Sequence, residues 1–127
     1  MPTPEPREYL KQQADREVKV CGYSTKQKCR TVNLADQLSE VIRRESKWGE
    51  FDTGIDYGIC NREFGCGSGQ GLIMLIVSTE KHCEEKLGRE IDRANPYDSI
   101  DCGIYLLEQE GIGHWEDPKG LWGSGPY

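Results

Sequence analysis

The sequence predicts an α+β fold that is mainly helical, with one small β element and disulfide bonds. Three observations support this prediction: a helical stripe over residues 34–48, a glycine-rich stretch over residues 51–71, and six cysteines in 127 residues. A chain of this length usually forms one domain. Because only 35% of its residues are hydrophobic, the core is small and covalent cross-links would help to stabilise it.

The first residues differ in composition from the rest of the chain. Residues 1–7 hold three prolines, and residues 7–19 are polar. We therefore expect residues 1–19 to form a tail and a loose surface helix, followed by a folded domain over residues 20–127. The first ten residues lack the apolar central region of a signal peptide, so export would require a signal already removed or another route.

The helix over residues 34–48 has the clearest signals. Asn33 is a suitable N-cap with Asp36 at the N3 position, and Gly49 is a suitable end. One face of this helix, at spacings of three and four, is formed by Leu34, Leu38, Val41, Ile42, Glu45 and Trp48. A carboxylate thus occupies a position on the apolar face. Either Glu45 reaches water or an arginine at the edge of the stripe, or the helix presents it to a cleft, where burial would raise its pKa.

The remaining elements are predicted from turn residues and apolar spacing. Residues 51–71 predict a small hairpin or three-stranded ribbon, and "GLIMLIV" at 71–77 predicts a buried strand or the entry to a helix. One helix is predicted from its cap at Ser78 to about Leu87, closed by Gly88. Another is predicted from its cap at Asp98 to Gly111, and residues 112–127 predict an aromatic surface loop.

The even number of cysteines predicts three disulfides and an oxidising compartment. The predicted pairs, of which the first two close short loops, are Cys21–Cys29, Cys60–Cys66 and Cys83–Cys102. Free thiols in a cytosolic protein are the alternative interpretation. A zinc site is disfavoured because the spacing lacks a C-x-x-C pair; its ligands would be Cys60, Cys66, His82 and Cys83.

Charge and hydropathy exclude two further classes of partner. The net charge is −6 without a basic face, which disfavours binding to nucleic acid. The longest apolar run, Leu72 to Val77, has six residues, far fewer than a membrane span needs. No metal or organic cofactor is implied, and we expect a monomer.

Four segments occur in an order that resembles the lytic transglycosylases and goose-type lysozymes. They are "RRESKW", a glycine-rich stretch, "GLIMLIVST" and "NPYDSIDCGIYLL", which together cover about residues 34–107. The resemblance implies a lysozyme-like fold and cleavage of the β-1,4 bond between N-acetylmuramic acid and N-acetylglucosamine in peptidoglycan. It also implies a secreted, periplasmic or cell-wall-associated protein whose partner is the glycan strand.

The resemblance assigns Glu45 as the catalytic acid and base. Predicted substrate contacts that match the family's motifs are Ser46, Gly71, Leu72 and Tyr105. Met74 stands where the family usually has a glutamine, so sugar binding or rate is expected to be weaker. The family's Y-N-A-G loop is also missing, and the aromatic residues in its place, which either stack on sugars or pack, are Trp115, Trp122 and Tyr127.

A second carboxylate would change the product. If Glu45 acts alone, the 6-hydroxyl of the muramic sugar closes on C1 and gives a 1,6-anhydro product, which is the mechanism we favour. However, "IDYGIC" resembles the T-D-Y-G-I strand of chicken-type lysozymes, so Asp56, or else Asp52 or Glu63, could support hydrolysis instead. Asp56 as a simple turn residue is a further interpretation.

Two classes without catalysis also stay open. One is a glycan-binding module that has lost activity, which the missing cleft glutamine at Met74 makes credible. The other is a disulfide-rich interaction or inhibitor domain in which Glu45 is structural.

Overall fold

The structure, a computed structural model, describes residues 3–22, 29–60 and 69–115. Within these ranges it has four α-helices and two antiparallel two-stranded sheets, which confirms the α+β, mainly helical class. In chain order the elements are α1 (Pro6–Ala14), β1 (Glu17–Cys21), β2 (Cys29–Asn33), α2 (Leu34–Ser46), β3 (Glu50–Phe51), β4 (Gly54–Ile55), α3 (Val77–Leu87) and α4 (Pro96–Glu110). Two 3₁₀ turns, Lys47–Gly49 and Gly113–Trp115, follow α2 and α4.

The N-terminal helix is shorter and more buried than the loose surface helix predicted over residues 7–19. Leu10 and Ala14, one turn apart, lie in the core, and α1 contacts both α2 and α4. Residues 17–21 are not helical but form β1, which pairs with β2 in a register that places Cys21 opposite Cys29. The predicted boundary after residue 19 therefore falls inside a strand.

Helix α2 begins as predicted but ends earlier. The side chain of Asn33 accepts a hydrogen bond from the backbone N–H of Asp36 at 3.0 Å. The helix ends at Ser46, not at Gly49, because Lys47 adopts a left-handed conformation with φ of 52°. Trp48 also has a positive φ, 60°, so it leaves the helical stripe although its side chain is buried.

The "GLIMLIV" segment is not a strand; it forms a turn and then enters a helix, because Ile76 is the N-cap of α3 and Val77 is its first residue. Gln70 and Leu75 pair through two backbone hydrogen bonds of 3.1 and 3.0 Å, and residues 71–74 form the turn between them. Leu72 and Ile73 are buried at the tip of this turn. We refer to residues 71–74 as the Gly71–Met74 turn. Leu72, Ile73 and Leu75 are buried as expected, the first two by a turn, whereas Ile76 and Val77 are exposed.

Helix α3 ends as predicted and begins slightly earlier. Its N-cap is Ile76, not Ser78, and Ile76 has no capping side-chain hydrogen bond. Gly88 follows the last turn with φ of 69°, which confirms the predicted end. Glycine suits this left-handed position because it has no Cβ.

The N-cap of helix α4 is Asn95, three residues before the predicted cap at Asp98. The side chain of Asn95 accepts hydrogen bonds from the backbone N–H groups of Tyr97 and Asp98. Pro96 occupies the first turn, where a missing N–H costs nothing. The helix ends before Gly111, as predicted.

The core lies between α2, α4 and the Gly71–Met74 turn. Helices α2 and α4 approach closely where Gly103 faces Leu38, because a Cβ at residue 103 would lie 2.9 Å from Leu38 Cδ1. The largest fully buried side chains are Leu10, Leu34, Leu38, Ile42, Leu72, Ile73, Ile100, Leu106, Leu107 and Ile112. In the described part of the chain no helix is both long and apolar enough to cross a bilayer.

Two of the predicted disulfides, Cys21–Cys29 and Cys83–Cys102, are present. The zinc interpretation is wrong for Cys83, because its sulfur is bonded to Cys102. The pair Cys60–Cys66 involves residue 66, which lies outside the described residues, and stays a prediction. None of the described cysteines is a free thiol, which is compatible with a location outside the cytoplasm.

Loss of the Cys83–Cys102 bond is expected to destabilise the fold more than loss of the Cys21–Cys29 bond. The first joins residues 19 apart through the core, and the second joins residues 8 apart across a hairpin. The double variant Cys83→Ala/Cys102→Ala should lower the free energy of unfolding by about 2–4 kcal/mol. Urea denaturation of both double variants measures this. Equal losses in the free energy of unfolding would show that loop length and burial do not determine how much each disulfide stabilises the fold.

Candidate active site at the end of helix α2

Glu45 lies in the last turn of α2 and is partly buried. Burial raises the pKa of its carboxyl above the ordinary value, and the neighbouring charge of Arg44 opposes this by a smaller amount. A raised pKa favours the protonated form, which can donate a proton to a leaving oxygen. The carboxyl predicted from the apolar stripe therefore has a pKa shifted in the direction that favours a general acid.

Ser46 ties the end of α2 to the Gly71–Met74 turn. Its side chain is buried, and its hydroxyl donates to the carbonyl oxygen of Leu72 at 2.8 Å and lies 3.2 Å from that of Ile42. Because Glu45 directly precedes Ser46, this bond fixes where the helix end, and with it Glu45, lies relative to the turn. The structure thus brings together two predicted site residues, Ser46 and Leu72, and Glu45 directly precedes the first of them in the chain.

Left-handed backbone conformations occur on both sides of this junction. Among the described residues, the non-glycine positions with positive φ are Lys47, Trp48 and Met74. Lys47 and Trp48 directly follow Ser46, and Met74 ends the turn that Ser46 contacts. Each such conformation costs about 1–3 kcal/mol, and such strain is concentrated at functional sites. The junction is therefore a stronger candidate for a site than the burial of Glu45 alone would make it.

Gly71 is held against the loop before α4. A Cβ on Gly71 would lie 1.8 Å from the carbonyl oxygen of Arg93, and Arg93 in turn donates from Nη1 to the carbonyl oxygen of Leu75 at 3.0 Å. Sequence reasoning missed this role of Arg93. No local pattern connects residues 71 and 93, so only the folded arrangement reveals it.

Asp56 is attached by its backbone to the segment after α2. Its N–H donates to the carbonyl oxygen of Gly49 at 2.7 Å, and a Cβ on Gly49 would lie 2.4 Å from the carbonyl oxygen of Asp56. The Asp56 side chain accepts from the N–H of Gly58 at 3.0 Å, the bond of an Asx turn. The turn interpretation of Asp56 is therefore consistent with the structure.

Asp56 also lines an open cavity of about 500 Å³ together with the exposed side chains of Phe51 and Ile55. Glu45 is not among the described residues that line this cavity. The structure thus attaches Asp56 to Gly49, after the end of α2, and its side chain lines a cavity that contains no described residue of α2.

Met74 and Trp115 line the same cavity, of about 170 Å³, with Thr79 and His114. This brings two predicted sugar-binding residues together. Tyr105 lies elsewhere, in a groove of about 370 Å³ that includes Arg16 and other charged residues. Trp122 and Tyr127 lie outside the described residues.

A cluster of two histidines and one carboxylate was missed by the sequence analysis. Glu110 contacts His82 Nε2 at 2.5 Å and His114 Nε2 at 3.2 Å. The hydrogen bond from His82, followed by that from His114, holds the pKa of Glu110 below its ordinary value. The spacing of four between Glu110 and His114 is a weak helical signal. No sequence signal connects either residue with His82.

A metal centre is not apparent in residues 3–22, 29–60 and 69–115, where no three His, Cys, Asp or Glu side chains are arranged to hold an ion. No family model, curated protein or solved structure matches the chain. The resemblance to lytic transglycosylases therefore stays a prediction, based on the motifs quoted above.

Proposed function

We propose that this chain is a lysozyme-like lytic transglycosylase that cleaves the β-1,4 bond between N-acetylmuramic acid and N-acetylglucosamine in peptidoglycan. The observation that carries the proposal is the partly buried Glu45, with its raised pKa, at the strained junction of α2 and the Gly71–Met74 turn. The substrate follows from the motif resemblance. The two disulfides support a secreted, periplasmic or cell-wall-associated protein.

The proposed reaction uses Glu45 twice. Its carboxyl first donates a proton to the glycosidic oxygen, so that the bond to C1 of the muramic sugar breaks and N-acetylglucosamine leaves with a free 4-hydroxyl. The Glu45 carboxylate then accepts the proton of the muramic 6-hydroxyl as that oxygen bonds to C1. No water is consumed, and the products are a 1,6-anhydromuramic end and a regenerated Glu45 carboxyl.

Digestion of purified, insoluble peptidoglycan followed by mass spectrometry of the released fragments tests this proposal. Fragments lighter by one water than the hydrolysis products are expected. If the protein binds peptidoglycan but releases nothing, it is a glycan-binding module. If it neither binds nor cleaves peptidoglycan, the proposal is wrong and an interaction domain becomes the better interpretation.

Hydrolysis assisted by Asp56 is the second candidate. The observation in its favour is the open cavity of about 500 Å³ that Asp56 lines. In that mechanism Asp56 would stabilise the charge at C1 or activate a water molecule across the cleft. The product would carry a free reducing end.

Asp56→Asn is expected to keep most of the activity and still give anhydro products. Asparagine retains the oxygen that accepts from Gly58 N–H, so the hairpin should stay folded while the negative charge is lost. Glu8→Gln, which changes an exposed carboxylate of α1 outside the hairpin, is the control. Turnover of peptidoglycan and product mass are measured for both variants. If Asp56→Asn is inactive and the products of the wild type carry free reducing ends, the reaction is hydrolysis instead.

A further inference from the structure

Glu110 connects three elements at the C-terminal end of α4. One oxygen of its carboxylate contacts His82 Nε2 of α3, and the other contacts His114 Nε2 of the 3₁₀ turn Gly113–Trp115. We refer to His82, Glu110 and His114 as the histidine–carboxylate cluster. About a quarter of the Glu110 side chain and a third of each histidine side chain are exposed, so the cluster lies at the protein surface and is only partly screened by solvent.

The 3₁₀ turn held by this cluster carries Trp115, which lines the cavity that also includes Met74 and Thr79. Two backbone bonds shape the turn. The N–H of Ile112 donates to the carbonyl oxygen of Cys21 at 2.9 Å, and the N–H of Trp115 donates to the carbonyl oxygen of Ile112 at 2.9 Å. The first bond anchors the start of the turn on β1. The cluster anchors its far end, where Trp115 lies.

We propose that Glu110 is a positioning residue for carbohydrate binding: by holding His82 and His114 it fixes Trp115 as a wall of the cavity beside Met74. This inference rests on the proposed function. An aromatic ring whose plane is already held in one orientation loses less conformational freedom when it binds the apolar face of a sugar. Met74 stands where the lytic transglycosylases usually have a glutamine, so an ordered Trp115 would supply contact that the missing amide does not.

The chemistry of the cluster suits this role over a wide pH range. Both histidines lower the pKa of Glu110, so its carboxylate stays ionised at pH values where an ordinary glutamate is already protonated. A group whose pKa is lowered in the folded state stabilises that state above its unfolded pKa, and loses this effect as the pH falls through its folded pKa. The Glu110 carboxylate should therefore remain an acceptor for both contacts at neutral pH and be protonated only in acid.

Other charged groups on α4 are engaged by different partners. Arg16, which follows α1, pairs with Glu108, and Arg89 pairs with Asp98 and Asp101. The charged groups that act on Glu110 are His82 and His114. Glu108 thus offers a matched control, because it is a paired carboxylate two residues from Glu110 that binds a residue outside the cluster.

Glu110→Gln is expected to raise KM for peptidoglycan about tenfold while kcat stays within about twofold, because one hydrogen bond to a charged group corresponds to roughly that factor. Loss of folded protein alone would lower kcat and leave KM unchanged. In the same variant, the backbone amide of Trp115 should exchange its hydrogen about tenfold faster by NMR, whereas the Ile112 amide should change little. Glu108→Gln should change neither KM nor the exchange of the Trp115 amide.

A second pair of variants tests the link through His114. In His114→Gln an amide N–H replaces the ring donor to Glu110, so KM should stay near the wild-type value. In His114→Ala the donor is lost, and KM should rise as in Glu110→Gln. Unchanged KM in both Glu110→Gln and His114→Ala, with an active wild type, would overturn the inference. A wild type that neither binds nor cleaves peptidoglycan would instead show that the proposed function is wrong.

Discussion

Glu45→Gln is expected to lower the turnover of peptidoglycan by at least about a hundredfold, because it removes the proposed general acid. Glutamine matches glutamate in size and shape but has no proton that it can transfer to a leaving oxygen. The release of soluble fragments from purified peptidoglycan measures the effect. Turnover near the wild-type rate would exclude Glu45 as the catalytic acid, and with it the proposed mechanism.

Glu40→Gln provides the matched control on the same helix. Glu40 lies on the exposed side of α2 and pairs with Arg43, and this bond holds the pKa of Glu40 below its ordinary value. Its substitution removes an equivalent charge from α2 without changing the junction with the Gly71–Met74 turn. Activity close to that of the wild type is expected, so a shared loss in both variants would indicate a general effect on the helix.

The pH dependence of stability tests whether Glu45→Gln remains folded and whether ionisation of the buried Glu45 carboxyl destabilises the wild type. Burial raises the folded pKa of Glu45 above its unfolded value, so stability falls as the pH rises through the folded pKa. Glutamine cannot ionise, and Glu45→Gln should therefore be more stable than the wild type above that pH and similar below it. Thermal unfolding at several pH values measures this difference. Catalysis should decline over the same pH interval, because the deprotonated acid cannot donate.

The parts of the fold that the sequence predicted depend on local contacts. The side chain of Asn33 accepts from an N–H three residues away, and Gly88 needs only its own left-handed conformation. Both could be located from short patterns. The cap of α4 was placed at Asp98 because aspartate caps helices well, but Asn95 before Pro96 is the better candidate, since proline favours the first helical position.

Two elements were missed for different physical reasons. Val18 and Val20 alternate with charged residues in β1, a period of two that predicts a strand, yet the polar composition of residues 7–19 was interpreted as a helix. The Gly71–Met74 turn could not have been found this way. Burial of Leu72 and Ile73 makes the segment apolar whether it forms a strand or a turn, and the contact with Arg93 is set by tertiary packing.

In the candidate site, too, some features follow from local sequence patterns and others only from tertiary packing. Glu45 could be predicted because a helical stripe is periodic, and a carboxylate on its apolar face stands out in the sequence. The histidine–carboxylate cluster could not, because His82 and Glu110 are 28 residues apart and meet only where α3 packs on α4. Strain at Lys47 and Met74 was also invisible, since neither residue type marks a left-handed conformation.

Gly71→Ala is expected to have the largest effect on stability, a loss of about 2–5 kcal/mol in the free energy of unfolding. A left-handed alanine costs about 1–2 kcal/mol, and a further 1–3 kcal/mol, roughly, comes from forcing a side chain into a filled space. Gly71 has φ of 86°, and its added Cβ would lie 1.8 Å from the carbonyl oxygen of Arg93. The turn must therefore move away from the loop before α4.

Gly88→Ala separates the cost of the left-handed conformation from the cost of the steric contact. Gly88 has φ of 69°, and no atom lies within 4 Å of the position its Cβ would take, so this variant should lose only the conformational cost of about 1–2 kcal/mol. Urea denaturation measures both variants, and equal losses would show that the contact with Arg93 is unimportant. Displacement of Gly71 also moves the Leu72 carbonyl that accepts from Ser46. Folded Gly71→Ala should consequently cleave peptidoglycan more slowly than folded Gly88→Ala, because the bond between Ser46 and Leu72 no longer fixes the helix end that carries Glu45.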